Sequence, residues 1–295
     1  MGSLLKRLIL FSIIVGIGAG LAAGAGQEAI QLQGVSSLLW VALLAYGVQW
    51  SVAIPAIITK KETFFDLTGS ITYLMCVGFA FWTSHTNHAM NPTKWVVGSL
   101  VVVWALRLGS FLTIRIHRTG KDDRFIKIKQ DPFRFFNVWT LQGLWVFLTS
   151  MAVLVLLTSK SVSQEISLFS WIGWGLWLLG FGIEVVADSQ KSAFNRAPEN
   201  QGKWINVGLW RHSQHPNYFG EMLLWLGLFL SGIQHYSGWQ WLAAFSPIFV
   251  FLLLSKVSGI PLLRKRGLEK WGDDPAYLEY RKHTNVLMPG PAHKA

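Results

Sequence analysis

The chain has 295 residues, of which 52% are hydrophobic and only 14% charged, with a formal net charge of +11. Soluble domains carry roughly 25% charged residues, so this balance excludes an ordinary soluble globular protein. The single cysteine, Cys76, excludes an internal disulfide framework.

Eight apolar stretches reach or approach the roughly 17–25 residues that cross a bilayer as a helix. The first, 4–26, holds the Gly/Ala run Gly16–Gly26. Lys6-Arg7 and Ala22-Ala23-Gly24-Ala25 also fit a secretory signal peptide, but the apolar run exceeds the usual length, so a retained helix is expected. Gly16-x-Gly18 follows no strand and is read as helix packing rather than a dinucleotide fingerprint. The second stretch is 37–58. The third, 65–83, opens on Phe64-Phe65-Asp66, and the fourth, 94–114, contains Arg107. The fifth is 138–158. The sixth, 168–187, carries Gly173, Gly175, Gly180 and Gly182, expected to allow close approach of a neighbouring helix. Its Trp171, Trp174 and Trp177, like Trp210 further on, read as interfacial belt and packing. The seventh and eighth are 217–234 and 239–258. The third and seventh are the least apolar at their starts. The predicted fold is all-α, a polytopic transmembrane bundle of seven to eight spans with a cytoplasmic pocket.

Charge placement gives the expected orientation. With the N-terminus inside, 23 of the 26 Lys and Arg fall on the same side as Lys6 and Arg7. Cytoplasmic loops retain such residues during insertion, so both termini are expected in the cytoplasm, and the basic balance needs no nucleic-acid partner. His117–Arg134 alternates basic and apolar residues, as a stretch lying on anionic lipid would. The tail from Lys282 to Ala295 reads as solvated.

A charge in hydrocarbon costs roughly 2.5–3.5 kcal/mol on the gentlest scale. Asp66, Arg107, Glu184, Asp188 and Glu221 nevertheless sit in or at the ends of predicted spans, toward the same face, and are expected to share a polar cavity. The densest polar run is Gly208–Glu221. Pro216 disfavours helix at His215, so the chain should turn there, with Asn217 placed to cap the following helix. Arg211 suits a phosphate or carboxylate, His215 a proton near neutral pH, and Tyr218 can donate a proton. His212 and His215 lack a third ligand of suitable spacing, and no metal is expected.

This run resembles the signature of the steroid 5-alpha-reductase C-terminal superfamily, specifically its bacterial DUF1295 branch. Phe64-Phe65-Asp66, Trp104 to Gly109, Asp122 to Phe125, Glu184-x-x-x-Asp188-x-Gln190-Lys191, Ser258 to Leu263 and Pro275 to Pro289 are similar to that branch and fall in its order. The resemblance covers roughly 60–290 and implies an N-terminal pair of helices over 1–60, a reductase-like membrane domain over 61–290 and a short tail over 291–295. It implies a bacterial inner-membrane enzyme that reduces a carbon–carbon double bond of an apolar lipid or steroid-like substrate with NADPH. Asn217 and Glu221 match cofactor-holding positions. Arg118 and Asp188 fall at equivalent places, and Glu184 stands where steroid reductases use Asn. Lys191, Arg211, His215 and Tyr218 complete the implied cofactor pocket, with Asp66 and Tyr218 as the catalytic candidates. The Gln-Glu pair and Tyr that polarise the steroid carbonyl are replaced here by Phe65-Asp66 and Trp104. Two alternatives follow. Gln214-His215-Pro216-Asn217-Tyr218 is similar to the Arg-His-Pro-x-Tyr element of membrane methyltransferases that bind S-adenosylmethionine. A changed catalytic pair also fits a non-catalytic lipid- or sterol-binding protein.

Overall fold

The computed structural model describes residues 2–119, 125–161 and 163–291. These form two compact units: 1–170 with 231–246, and 171–230 with 247–295.

The first unit is a bundle of α1 (Gly2–Ala25), α2 (Ser37–Thr59), α3 (Phe65–Thr86), α4 (Pro92–Thr119) and α5 (Pro132–Thr158). Its starts follow from local chemistry. Pro92 and Pro132 open α4 and α5, where a missing N–H costs nothing. The Asp131 side chain accepts from Arg134 N at 3.1 Å and caps α5. The same carboxylate takes both guanidinium nitrogens of Arg7, at 2.9 and 2.6 Å, tying α1 to α5. The cap and the guanidinium hold Asp131 below the usual carboxylate range. Between α1 and α2, strands β1 (Gln31–Leu32) and β2 (Val35–Ser36) pair through a turn with φ of 51° at Gln33 and 77° at Gly34. Both values lie in the left-handed region that tight hairpin turns require.

α5 is the axis of this unit. Every residue from Phe147 to Thr158 is buried, the signature of a helix apolar on all sides and surrounded by protein. It packs on α1, α2, α3 and α4. Gly18 faces the Tyr46 ring, whose hydroxyl donates to Ile14 O at 2.8 Å, so this glycine does serve helix packing. Near the start of α5, Phe65, Phe125, Phe135 and Trp139 interlock with ring centroids 4.8–6.0 Å apart. Beside them Lys129 Nζ meets the buried Glu62 carboxylate at 2.7 Å, joining the α2–α3 and α4–α5 connections.

The second unit contains most of α6 (Leu168–Arg196), then α7 (Pro216–Gly232), the C-terminal part of α8 (Phe245–Leu252), α9 (Ile260–Trp271) and α10 (Pro275–His283). A π-helical turn over Leu253–Val257 precedes the break at Gly259. α6 and α7 pack backbone to backbone. A Cβ on Gly180 would lie 2.5 Å from Gly220 O, and a Cβ on Gly220 2.5 Å from Gly180 O. One further step along, Gly227 packs on the backbone of Gly173 and Trp177. Gly175 and Gly182, expected to share this role, face open space.

Seven helical segments among the described residues are long and apolar enough to cross a membrane: α1 to α6 and the region Gly238–Trp271. Their outward residues are large and apolar, as in Ile13, Leu178 and Leu179, each more than half exposed. The chain is an all-α integral membrane protein. The stretch expected as the seventh span is α7, only 17 residues long. At 1.5 Å per residue it measures about 25 Å, short of the roughly 30 Å hydrocarbon core.

Candidate functional site

The signature run lies wholly in the second unit. Gly208 begins a single 3-10 turn, Gly208–Arg211, with φ of 59°, and a Cβ there would lie 2.5 Å from the Gln190 amide. Leu209 N donates to Gln190 Oε1 at 2.9 Å, and Trp210 Nε1 donates to Ala187 O at 3.0 Å. Trp210, Ala187 and Ile205 form a small core, with the Lys191 ammonium 4.7 Å from the Trp210 ring centroid. Thus the loop is seated on the last turns of α6.

The segment after α10 holds the loop's other side. Gln214 N donates to Asn285 O at 2.9 Å, and Gln214 Nε2 donates to Arg281 O at 3.0 Å and Thr284 O at 2.6 Å. Ser213 Oγ donates to Leu287 O, and Tyr280 OH donates to Trp210 O, each at 2.7 Å. Gly290 N donates to His212 O at 3.0 Å, and His212 Nδ1 lies 2.8 Å from Gly290 O. A carbonyl can only accept, so this Nδ1 carries the proton. Residues 284–290 are therefore tied down through their backbone, which the reading of a solvated tail did not include, while Asn285, Val286, Met288 and Pro289 stay exposed as that reading expects. Backbone carbonyls make most of these bonds, and backbone groups leave no trace in residue identity.

α7 starts at Pro216, with Phe219 N bonded to His215 O at 3.1 Å. His215 thus occupies the capping position, where Asn217 was expected. Asn217 stands one position inside the helix and donates through Nδ2 to Asp188 Oδ1 at 3.2 Å. Asp188 and Glu184 are both buried on one face of α6, and Glu184 lies against Gly220. Glu221, half-buried, follows Asn217 by one turn. Glu184, Asp188 and Asn217 are brought together where α6 and α7 approach through glycine, and Glu221 lies one turn further along α7.

His215 is 9% exposed and stacks on the Tyr218 ring with centroids 5.6 Å apart. Tyr218 in turn packs on Gly259. Burial, with the Lys191 and Arg281 charges nearby, lowers the His215 pKa to about 4, so the ring is neutral at pH 7. Its buried Nδ1 has no hydrogen-bond partner among the described residues. Arg211 is exposed at the edge of the loop.

The other candidates belong to the first unit or fall outside the described residues. Asp66, half-buried in the first turn of α3, belongs to the first unit, where a carboxylate also favours the helix start. Arg107, in the same unit, stands 5.4 Å from the Phe111 ring, and the buried Trp104 meets Tyr73 edge to face at 5.1 Å. The side chain of Arg118 and the run 120–124 lie outside the described residues. Gln190, Gln214, Tyr280 and Arg281 were missed as parts of this site. All four stand in recognised motifs (Gln190 in the Glu184 block, Gln214 in the signature run, Tyr280 and Arg281 in the Pro275–Pro289 block), but their spacing gives them no role of their own.

Comparison with known proteins agrees with this picture. Residues 51–284 match the family model described as a protein of unknown function, DUF1295. An uncharacterized protein of Schizosaccharomyces pombe is 24% identical over 228 residues, which cover 66% of this chain and 62% of the yeast protein. The chain thus spans less than two thirds of that relative's length. No solved structure matches the chain. The family match extends over most of the sequence and includes both α6 and the signature loop, and the chain belongs to the DUF1295 family.

Proposed function

We propose that this protein is a membrane-embedded reductase that binds NADPH at the second unit's polar centre and reduces a carbon–carbon double bond of an apolar lipid. The observation that carries the reading is the meeting of buried Glu184 and Asp188 on α6 with Asn217 on α7, which follows directly on the neutral, buried His215 and has Glu221 one turn further along the same helix. Carboxylates accept from ribose hydroxyls, and an amide matches the donor and acceptor of a carboxamide. Lys191, Arg211 and Arg281 are suited to phosphate. This donor set fits a dinucleotide better than a purely apolar ligand. Bound NADPH would supply the hydride, and the protein's part is to hold and orient it.

Within that reading each residue has a definite task. Asp188 fixes the Asn217 amide, so that its remaining hydrogen-bonding groups face a ligand without reorganisation. The neutral His215 adds no charge next to the basic residues and keeps the Tyr218 ring in place. Tyr218, stacked on His215, is the proton donor of this centre. The apolar, lipid-facing helices supply the setting for a lipid substrate, with both termini on the cytoplasmic side.

The test is NADPH oxidation by purified protein with a panel of α,β-unsaturated lipid ketones. Turnover that falls at least a hundredfold in Tyr218→Phe with NADPH affinity unchanged supports the assignment. Methyl transfer from S-adenosylmethionine by the same sample, without NADPH oxidation, would replace it.

A further inference from the structure

The first unit has a polar centre of its own, built from the connections that follow α1, α3, α5 and α7. Lys94, near the start of α4, is completely buried. Its ammonium donates to Ser159 O at 2.6 Å, Ala89 O at 2.7 Å and Ser84 Oγ at 3.3 Å. Every partner it has among the described residues is a neutral oxygen. Carbonyls at the ends of α3 and α5 satisfy its protons, but its charge has no counter-ion, which a buried cation ordinarily requires.

Ser159 opens onto a cleft of about 350 Å³ that is also lined by Glu28, Lys160, Ser161, His235 and Gln240. The hydrogen-bond directions in this cleft can be derived. Gln234 Nε2 donates to Glu165 O at 3.0 Å, so this atom is the amide nitrogen, and it lies 3.1 Å from His235 Nε2. His235 Nε2 must accept, its Nδ1 carries the proton, and Nδ1 donates to Ser161 Oγ at 3.1 Å. Burial and the Lys94 charge lower the His235 pKa, which agrees with a neutral ring. Ser161 then has its own hydroxyl proton available for an acceptor.

Gln240 is 2% exposed. Its Oε1 accepts from Ser237 N at 3.1 Å and Ser237 Oγ at 3.4 Å, which fixes the amide. Its Nε2 is buried and has no partner among the described residues. The cleft is thus lined by Gln240, whose buried amide donor is unanswered, by a serine hydroxyl and by the exposed Lys160 ammonium, with the Lys94 charge one hydrogen bond behind Ser159. Glu28, exposed, is the one acidic side chain in the lining.

We propose that this cleft binds a phosphate group, held by Gln240 Nε2, Ser161 Oγ and Lys160 and compensating the buried Lys94. A tetrahedral oxyanion accepts several donors at once and suits a site with two cations against one acid. The same chemistry could arrive as free phosphate or as a lipid headgroup, since these connections join the ends of membrane-spanning helices.

The test is thermal unfolding of the full chain in a neutral detergent, with inorganic phosphate, phosphatidic acid or diacylglycerol. Stabilisation by inorganic phosphate identifies a free anion site. Stabilisation by phosphatidic acid but neither by diacylglycerol nor by inorganic phosphate identifies a headgroup site. In either case Gln240→Glu should weaken the effect at least tenfold, because it keeps the acceptor for Ser237 and replaces the orphan donor by an oxygen. If Gln240→Glu does not fold, Lys160→Gln with Ser161→Ala serves the same purpose from less buried positions. No stabilisation by either phosphate compound, or equal stabilisation of wild type and variants, would overturn the proposal.

Discussion

The fifth helix and the signature loop are held in place by different physics. From Phe147 to Thr158, α5 is buried without interruption, and its position follows from apolar packing on all sides. The loop from Gly208 to His215 is held by hydrogen bonds: to Gln190 and Ala187 on α6, to Arg281 in α10, and to Thr284, Asn285, Leu287 and Gly290 after it. Packing tolerates substitutions that conserve volume and resists cavities. A hydrogen-bonded frame resists loss of a single donor, because the groups left behind are buried and polar. The first kind of order suits a scaffold, and the second suits a site whose polar atoms must face one way.

The largest expected effect tests the packing side. Phe147→Ala should cost about 3–5 kcal/mol, read as a lowered unfolding midpoint in detergent, because it opens a cavity at the axis of the first unit. Next is pH. The folded His215 pKa of about 4 lies below the ordinary 6.5, so the unfolded chain binds more protons between these values. This contribution to stability is fully present above pH 6.5 and declines as pH falls toward 4. It is worth at most about 3 kcal/mol. The profile of His215→Phe, subtracted from that of wild type, should isolate the slope; identical profiles would contradict a buried neutral ring.

Intermediate effects belong to the α6–α7 contact. Gly180→Leu or Gly220→Leu should destabilise by about 1–3 kcal/mol, since the added Cβ meets an opposing carbonyl. Gly182→Ala, facing open space, should leave the melting temperature within a degree or two. The smallest effect is local. Gln214→Ala removes the side-chain donor to Arg281 O and Thr284 O, and should cost about 1–2 kcal/mol. Hydrogen exchange should rise over 284–290 while α5 stays protected. A rise in both regions would mean that the frame and the scaffold are one cooperative element.

This contrast also explains what the sequence disclosed. The spans were legible because burial in lipid demands long apolar runs, and α1 to α6 fall close to the expected stretches. α7 matches the expected stretch 217–234 to within two residues at each end and, at 17 residues, is shorter than α1 to α6. The grouping of Glu184, Asp188, Asn217 and Glu221 could be anticipated from charges where hydrocarbon disfavours them. The loop's hold on Asn285, Leu287 and Gly290 could not, since any residue supplies a carbonyl. Similarly, Asn217 resembled a cap by its position after a proline, whereas the structure gives its amide to Asp188. A buried carboxylate across the helix contact is a stronger claim on that side chain than the first N–H groups of its own helix.

The most direct measurement is the thermal unfolding of wild type, Asn217→Ala and Glu221→Gln with NADPH, NADH or S-adenosylmethionine. A ligand at a hundredfold excess over its Kd stabilises the folded state by roughly 2.7 kcal/mol. NADPH should raise the wild-type midpoint, NADH should do so less, and both variants should lose at least tenfold in NADPH affinity. A midpoint unmoved by NADPH in cofactor-free protein, or raised equally in all three proteins, would contradict the NADPH assignment.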